Sequence, residues 1–138
     1  MAQRPAGVRA VARGRFDLLV ELEPAAFDAL ETDGTALAKI DTRGVVPTCA
    51  GAGADAARAA AAGALEVDFR SRFFGPRIDV TEDPVTGSAH CMLAPYWAAP
   101  RGREAQGAAA PAVVGFQASA RGGVVRCELV ADRVRLLG

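Results

Sequence analysis

Lysine is nearly missing from this sequence. Lys39 is the only one, and arginine supplies the other basic residues. Beside so much alanine and glycine, this reads as coding bias before function. There is no excess of charge of either sign: 16 Lys and Arg balance 16 Asp and Glu. Bulk electrostatics therefore point neither to nucleic acid nor to an anionic membrane. No apolar run reaches the roughly 18 residues that a membrane span needs. The opening stretch MAQRPAGVRA has no apolar signal core, so nothing suggests export. Cys49, Cys91 and Cys127 are odd in number and widely spaced, with no C-x-x-C. That excludes a disulfide framework and a zinc site and fits a reducing cytosol, so a cytoplasmic location and no metal are expected.

What is present is a chain of 138 residues, half of them apolar. That is one domain, long enough to bury a core. Alternating apolar positions mark a strand at 15–22, with 7–13 as its partner across an Arg13-Gly14 turn. Pro24 opens a short helix at 24–30, where proline is tolerated in the first turn, and a second short helix is predicted at 35–40. The segment 44–50 reads as a strand that Pro47 makes an edge or a broken one. Residues 50–64, AGAGADAARAAAAGA, lack large apolar side chains and read as a low-complexity, mobile loop insert. Its glycines lack the lysine of a phosphate loop.

From 65 onward Leu65, Val67, Phe69 and Ser71 alternate with Glu66, Asp68, Arg70 and Arg72, a half-buried strand. Arg70, Arg72 and Arg77 then read as a solvated face, with Arg72 or Arg77 able to reach an acidic ligand. Residues 87–99, GSAHCMLAPYWAA, form a helix that is apolar nearly all round and so buried on most sides, with a kink or stop expected near Ala94 because of Pro95. Residues 100–111 read as a polar connector. Three short strands follow at 112–119, 123–130 and 133–137, joined by turns at Gly122-Gly123 and Ala131-Asp132. An apolar helix amid strands needs a wall, and a sheet curled around it gives an α+β fold.

The string EDPVTGSAH, 82–90, stands at the mouth of that helix. The first backbone N–H groups of a helix lack internal partners, and the dipole adds positive charge there. Gly87, Ser88 and Ala89 therefore form a cradle for a carboxylate or phosphate, with Asp83 at the rim as an acid or base. The plain alternative is that Asp83, Thr86 or Ser88 merely caps the helix. His90 reads as a packed, hydrogen-bonded histidine, Cys91 as core, and Tyr96 and Trp97 as domain packing.

The string RFF-P followed by EDPVTGSAHCMLAPYW, and about twenty residues later by QASARGG, resembles the C-terminal half of the phenazine-biosynthesis PhzF-like family. The resemblance runs from about Phe16 to Leu137. It implies a diaminopimelate-epimerase-like domain: a mixed, mostly antiparallel sheet curled into a barrel around a central helix. It also implies a cofactor-free, metal-free isomerase that shifts a proton on a small organic acid, in a cleft between two similar domains. A characterised member isomerises a dihydro-hydroxyanthranilic acid. Asp83 matches the aspartate of the family's D-P-x-T-G-S motif and inherits the catalytic role. Thr86, Gly87, Ser88 and Ala89 would bind substrate, and Gln117 and Arg121 would shape the cleft or bind substrate.

The departure lies in what is not matched. The family's catalytic glutamate and its G-H-P-T helix mouth belong to an N-terminal domain, and neither segment occurs here. Glu66, Glu82, Glu104 and Glu128 do not stand in the missing glutamate's motif. The single domain 1–138 thus looks like half of the enzyme, to be paired with an N-terminal domain or with a second copy that rebuilds the cleft. Two other readings stay open: an inactive half-enzyme that binds or dimerises, and a truncated gene fragment.

Overall fold

The computed structural model describes residues 5–99 and 112–137. Seven strands lie side by side in chain order: β1 (Val8–Arg13), β2 (Asp17–Leu22), β3 (Gly44–Ala50), β4 (Phe69–Ser71), β5 (Ala112–Gln117), β6 (Gly123–Val130) and β7 (Arg133–Leu137). The pairs β2–β3 and β4–β5 are parallel and the other four are antiparallel. Period-two alternation gives the sheet two faces. Leu19, Val46, Phe69, Phe73, Val113, Val125 and Cys127 point inward. They pack on Leu93, Ala94 and Trp97 of α4 (Gly87–Ala98).

The sheet does not close into the expected barrel. β1 and β7 are its two edges, and they leave one stripe of α4 uncovered. Ser88, Cys91 and Pro95 are exposed, while Ala89, His90, Leu93, Ala94, Trp97 and Ala98 are buried. Cys91 therefore lies at the surface and not in the core as expected. Pro95 does not end the helix, which runs on to Ala98. Its missing N–H would have bonded the carbonyl of Cys91, one turn earlier. Both residues are on the open side, where water can replace the lost bond.

Pro47 does not make β3 an edge strand. β3 lies between β2 and β4, and Pro47 is buried. Its carbonyl accepts from the N–H of Arg72 at 3.0 Å. The absent N–H points the same way, toward the place where the β3–β4 ladder thins to the isolated bridge Val45–Phe74.

The outer face is covered by short elements. α1 (Pro24–Asp28) lays Phe27 on Leu22 and Cys49. α2 (Gly34–Leu37) is capped by Asp33, which accepts from the N–H groups of Thr35 and Ala36. It ends three residues before the expected limit. The stretch 50–64, read as a loop, carries a 3-10 turn (Gly53–Asp55) and α3 (Ala56–Ala61). The stretch has no large apolar side chain to anchor it. Its alanines are small enough for Ala59 and Ala64 to bury against Phe116. Arg58 lies over the Phe116 ring at 5.2 Å and donates to the carbonyls of Ser119 and Ala120.

Arg70 joins these pieces. It points outward as the alternation predicts, yet it is fully buried rather than solvated. Its Nη1 donates to Asp28 and Asp55, its Nε donates to the carbonyl of Gly51, and its guanidinium sits 4.8 Å from the centre of Phe27. Arg72 is likewise engaged, donating to both carboxylate oxygens of Glu82 at 2.9 Å. Arg77 donates to Asp41 and to the carbonyl of Ala38, which ties it to the end of α2. No helix among the described residues is long and apolar enough to cross a membrane.

Two outcomes follow from this packing. Arg70→Ala empties a fully buried site, takes the arginine partner from Asp28 and leaves Asp55 with Arg58 alone, and should cost about 3 kcal/mol in urea denaturation, with Arg70→Lys recovering only part because it lacks the planar fork. Burial pushes the Cys49 thiol up to about 11 and the Cys127 thiol up to about 12. Iodoacetamide at pH 8 should therefore modify Cys91 alone in the folded chain and all three cysteines in denaturant, as read by mass spectrometry.

Candidate functional site

The mouth of α4 is built from one turn and one side chain behind it. The N–H of Asp83 donates to the carbonyl of Phe73 at 3.0 Å, which fixes the start of the turn. Gln117, at the end of β5, fixes the rest. Its Oε1 accepts from the N–H of Thr86 at 2.7 Å, and its Nε2 donates to the carbonyl of Asp83 at 2.9 Å and to Thr86 Oγ1 at 3.1 Å. These partners leave no ambiguity in the amide: a backbone N–H must meet the oxygen and a carbonyl must meet the nitrogen. Thr86 Oγ1 already accepts from Gln117, so its own proton goes to Asp83 Oδ2, 2.5 Å away.

Thr86 is the N-cap residue of α4, yet its side chain makes no capping hydrogen bond. The plain capping role is thus unfilled. The Thr86 hydroxyl is committed to Asp83, and the amides of the first turn keep their hydrogen-bonding capacity toward the mouth. Gly87 and Ser88 are exposed there. Ala89 is buried in the core as a whole residue, so the open surface of the mouth comes from Gly87 and Ser88 and not, as expected, from Ala89. Asp83 is half-buried, with Oδ2 held by Thr86.

Of the residues expected to touch a ligand, Asp83, Gly87 and Ser88 gather at the helix mouth. Gln117 and Thr86 stand behind it: both are buried, and their side-chain polar groups are used within the turn. Arg121 is exposed and lies in a loop tied to the mouth by Ser119. The Ser119 hydroxyl donates to the carbonyl of Pro84 at 2.7 Å and accepts from the N–H of Gly122 at 3.0 Å. Gly122 holds φ at +74°, a region that a glycine enters freely.

The sequence reading missed Arg43 and Asp17. Arg43 donates from Nε and Nη2 to the two oxygens of Asp17 at 2.9 and 2.6 Å, and from Nη2 to Ser88 Oγ at 2.8 Å. The hydrogen bond to Asp17 raises the pKa of Arg43 above its ordinary value. Phe16 and Phe73 flank the guanidinium at 5.3 and 5.4 Å. Gly44 is paired with Asp17 across β2–β3. A Cβ there would lie 2.4 Å from the Phe73 ring and 3.1 Å from Asp17 Oδ1, so glycine is what lets the three meet. The one local signal is an aspartate at the start of an apolar strand.

His90 is packed as expected. Its Nδ1 lies 2.8 Å from the carbonyl of Thr86, which can only accept, so Nδ1 carries the ring proton. Nε2 is buried with no hydrogen-bond partner among the described residues, and the ring rests 5.8 Å from Phe69. Burial holds the imidazole below its ordinary 6.5, so it is neutral and closed off from the mouth. Among the described residues no group of His, Cys, Asp or Glu could hold a metal ion.

The unfolded chain binds a proton at His90 at higher pH than the folded one. Stability from the neutral ring is therefore complete above about pH 6.5 and falls as pH drops below it. Denaturation midpoints measured between pH 7.5 and 5.5 should decline in the wild type, and His90→Gln should flatten that decline.

The family model described as "Phenazine biosynthesis-like protein" matches residues 3–138. An uncharacterized isomerase of Halalkalibacterium halodurans is 39% identical over 129 residues, covering 93% of this chain and 42% of that protein. An uncharacterized isomerase of Pseudomonas aeruginosa is 43% identical over 122 residues, covering 88% of this chain and 39% of that protein. Among solved structures, a phenazine biosynthesis PhzC/PhzF protein of Clostridium difficile superposes with a TM-score of 0.70 at 32% identity, over 91% of this chain and 41% of that one. A PhzF-family protein of Enterococcus faecalis gives 0.71 at 29%, over 96% and 46%. The chain spans about two fifths of the length of the curated relatives it matches. It belongs to the phenazine-biosynthesis-like family of PhzC/PhzF proteins.

Proposed function

We propose that this chain supplies one wall of an isomerase site that moves a proton on a small organic acid. The amides of Gly87 and Ser88, with the Ser88 hydroxyl, hold the acid's carboxylate. Asp83 exchanges the proton through the oxygen that Thr86 does not hold. The observation that carries this reading is the pairing of an uncapped helix mouth with a carboxylate locked beside it. A structural turn would have spent Thr86 or Asp83 on the first-turn amides, and this one does not. Fixing one oxygen of Asp83 leaves the other at a set distance from whatever the mouth holds, which is the positioning that proton transfer needs.

The second wall comes from the additional length that the relatives carry, and the uncovered stripe of α4 at Ser88, Cys91 and Pro95 is where it would close over the site. No cofactor or metal enters this scheme. The proton leaves one carbon of the acid and returns at another through a carboxyl group, with no net oxidation.

The test is solvent exchange. The chain is incubated in D2O with dihydro-hydroxyanthranilic acid and a panel of other small carboxylic acids, alone and together with the N-terminal part of the Halalkalibacterium relative. Deuterium should enter an acid only in the mixture, and Asp83→Asn should slow its entry by about 100-fold or more. Exchange that survives Asp83→Asn at the wild-type rate would remove Asp83 from the chemistry. Exchange by this chain alone would show that the second wall is not needed.

A further inference from the structure

The mouth of α4 includes a charged side chain from outside the D-P-x-T-G-S string. We propose that Arg43 sets the charge selectivity of this mouth, so that it takes an organic acid as its carboxylate and rejects the neutral amide of the same shape. The inference rests on the helix-mouth reading above and adds to it the cation that makes the selection.

Arg43 is held before any ligand arrives. Asp17, only 3% exposed, takes both Nε and Nη2, and two aromatic rings flank the guanidinium. A free surface arginine loses side-chain entropy when it binds an anion, and here that loss is already taken. The donors also divide cleanly. One Nη2 proton goes to Asp17 and the other to Ser88 Oγ, while Nη1 makes no hydrogen bond among the described residues. Two N–H donors therefore remain for a ligand.

The bond to Ser88 has a consequence of its own. The Ser88 oxygen accepts from Arg43, so the hydroxyl's single proton is turned away from Arg43 and free to donate to a ligand. The Nη1 donors, the Ser88 proton and the uncapped amides of α4 all offer positive charge at one place. Asp17 balances Arg43 in sum, but the two are not equally placed. The aspartate side chain is 4% exposed and the arginine side chain 31%, so the positive end of the pair faces the mouth.

The experiment follows the backbone amide signals of Gly87, Ser88 and Ala89 by NMR during titration with benzoate and with benzamide at constant ionic strength. In the wild type, benzoate should shift these signals and benzamide should bind about tenfold more weakly. Asp17→Asn with Arg43→Gln removes both charges without stranding a buried carboxylate, and should weaken benzoate about tenfold while leaving benzamide unchanged. Arg43→Gln alone repeats the comparison should the double variant not fold. Arg43→Lys, which keeps the charge, should retain part of the preference. A double variant that still prefers benzoate as the wild type does overturns the role of Arg43 and leaves the helix-mouth reading standing. No benzoate shift at these amides in the wild type overturns that reading and this inference together.

Discussion

Gln117 is a single uncharged side chain, and its three hydrogen bonds decide where α4 begins. Without it, the N–H of Thr86 and the carbonyl of Asp83 would lose their partners, at a cost of about 1–3 kcal/mol for each buried group left unsatisfied. The Thr86 hydroxyl would then be free to turn toward the first-turn amides and cap the helix, closing the mouth and releasing Asp83. Gln117 reaches the turn because β5 alternates, with Val113, Gly115 and Gln117 on the inner face. Gly115 keeps that face shallow enough: a Cβ there would lie 2.5 Å from the Phe69 ring and 3.2 Å from His90 Nε2. The site is thus set by a strand behind it as much as by the motif in front.

The two faces of the sheet are held by different physics. The inner one is apolar, with Phe69 stacked on Trp97 at 5.9 Å and Trp97 donating to Thr48. The outer one has a charge at its centre. Desolvating Arg70 is costly, and a buried ion pair is weak evidence of stability in itself. What the pair supplies is geometry. Asp28 follows β2 and Asp55 follows β3, so one guanidinium fixes how both connections lie on the sheet. Arg43 does similar work at the helix mouth, linking β2, the start of β3 and α4.

Much of this was legible because its signals are local. β2, β5, β6 and β7 announce themselves by alternation and turn residues, α4 by length and composition, and Asp83, Gly87 and Ser88 by their place at a helix mouth. The rest depends on pairings that no short window contains. Arg43 and Asp17 meet only because β2 and β3 run parallel in a register that sets Asp17 beside Gly44. α3 carries no large apolar residue that would announce it, and alanine contacts and an arginine on backbone carbonyls hold it instead. The alternation puts Arg70 on the outer face, but nothing in the strand says that α1 and the 3-10 turn Gly53–Asp55 will cover it. Closure into a barrel is what the family resemblance implies, while the helix itself has an exposed stripe.

The order of the strands has a consequence for synthesis. Because every strand neighbours the one before it, a chain leaving the ribosome N-terminus first can pair β1 to β4 as they emerge, with little loop-closure cost. The helix that covers their inner face comes only afterward. Until α4 arrives, Leu19, Val46, Phe69 and Phe73 form one wet apolar surface on a half-made sheet with two open edges. That interval is when the nascent chain is most prone to stick to another copy of itself, and the apolar character of α4 is what ends it.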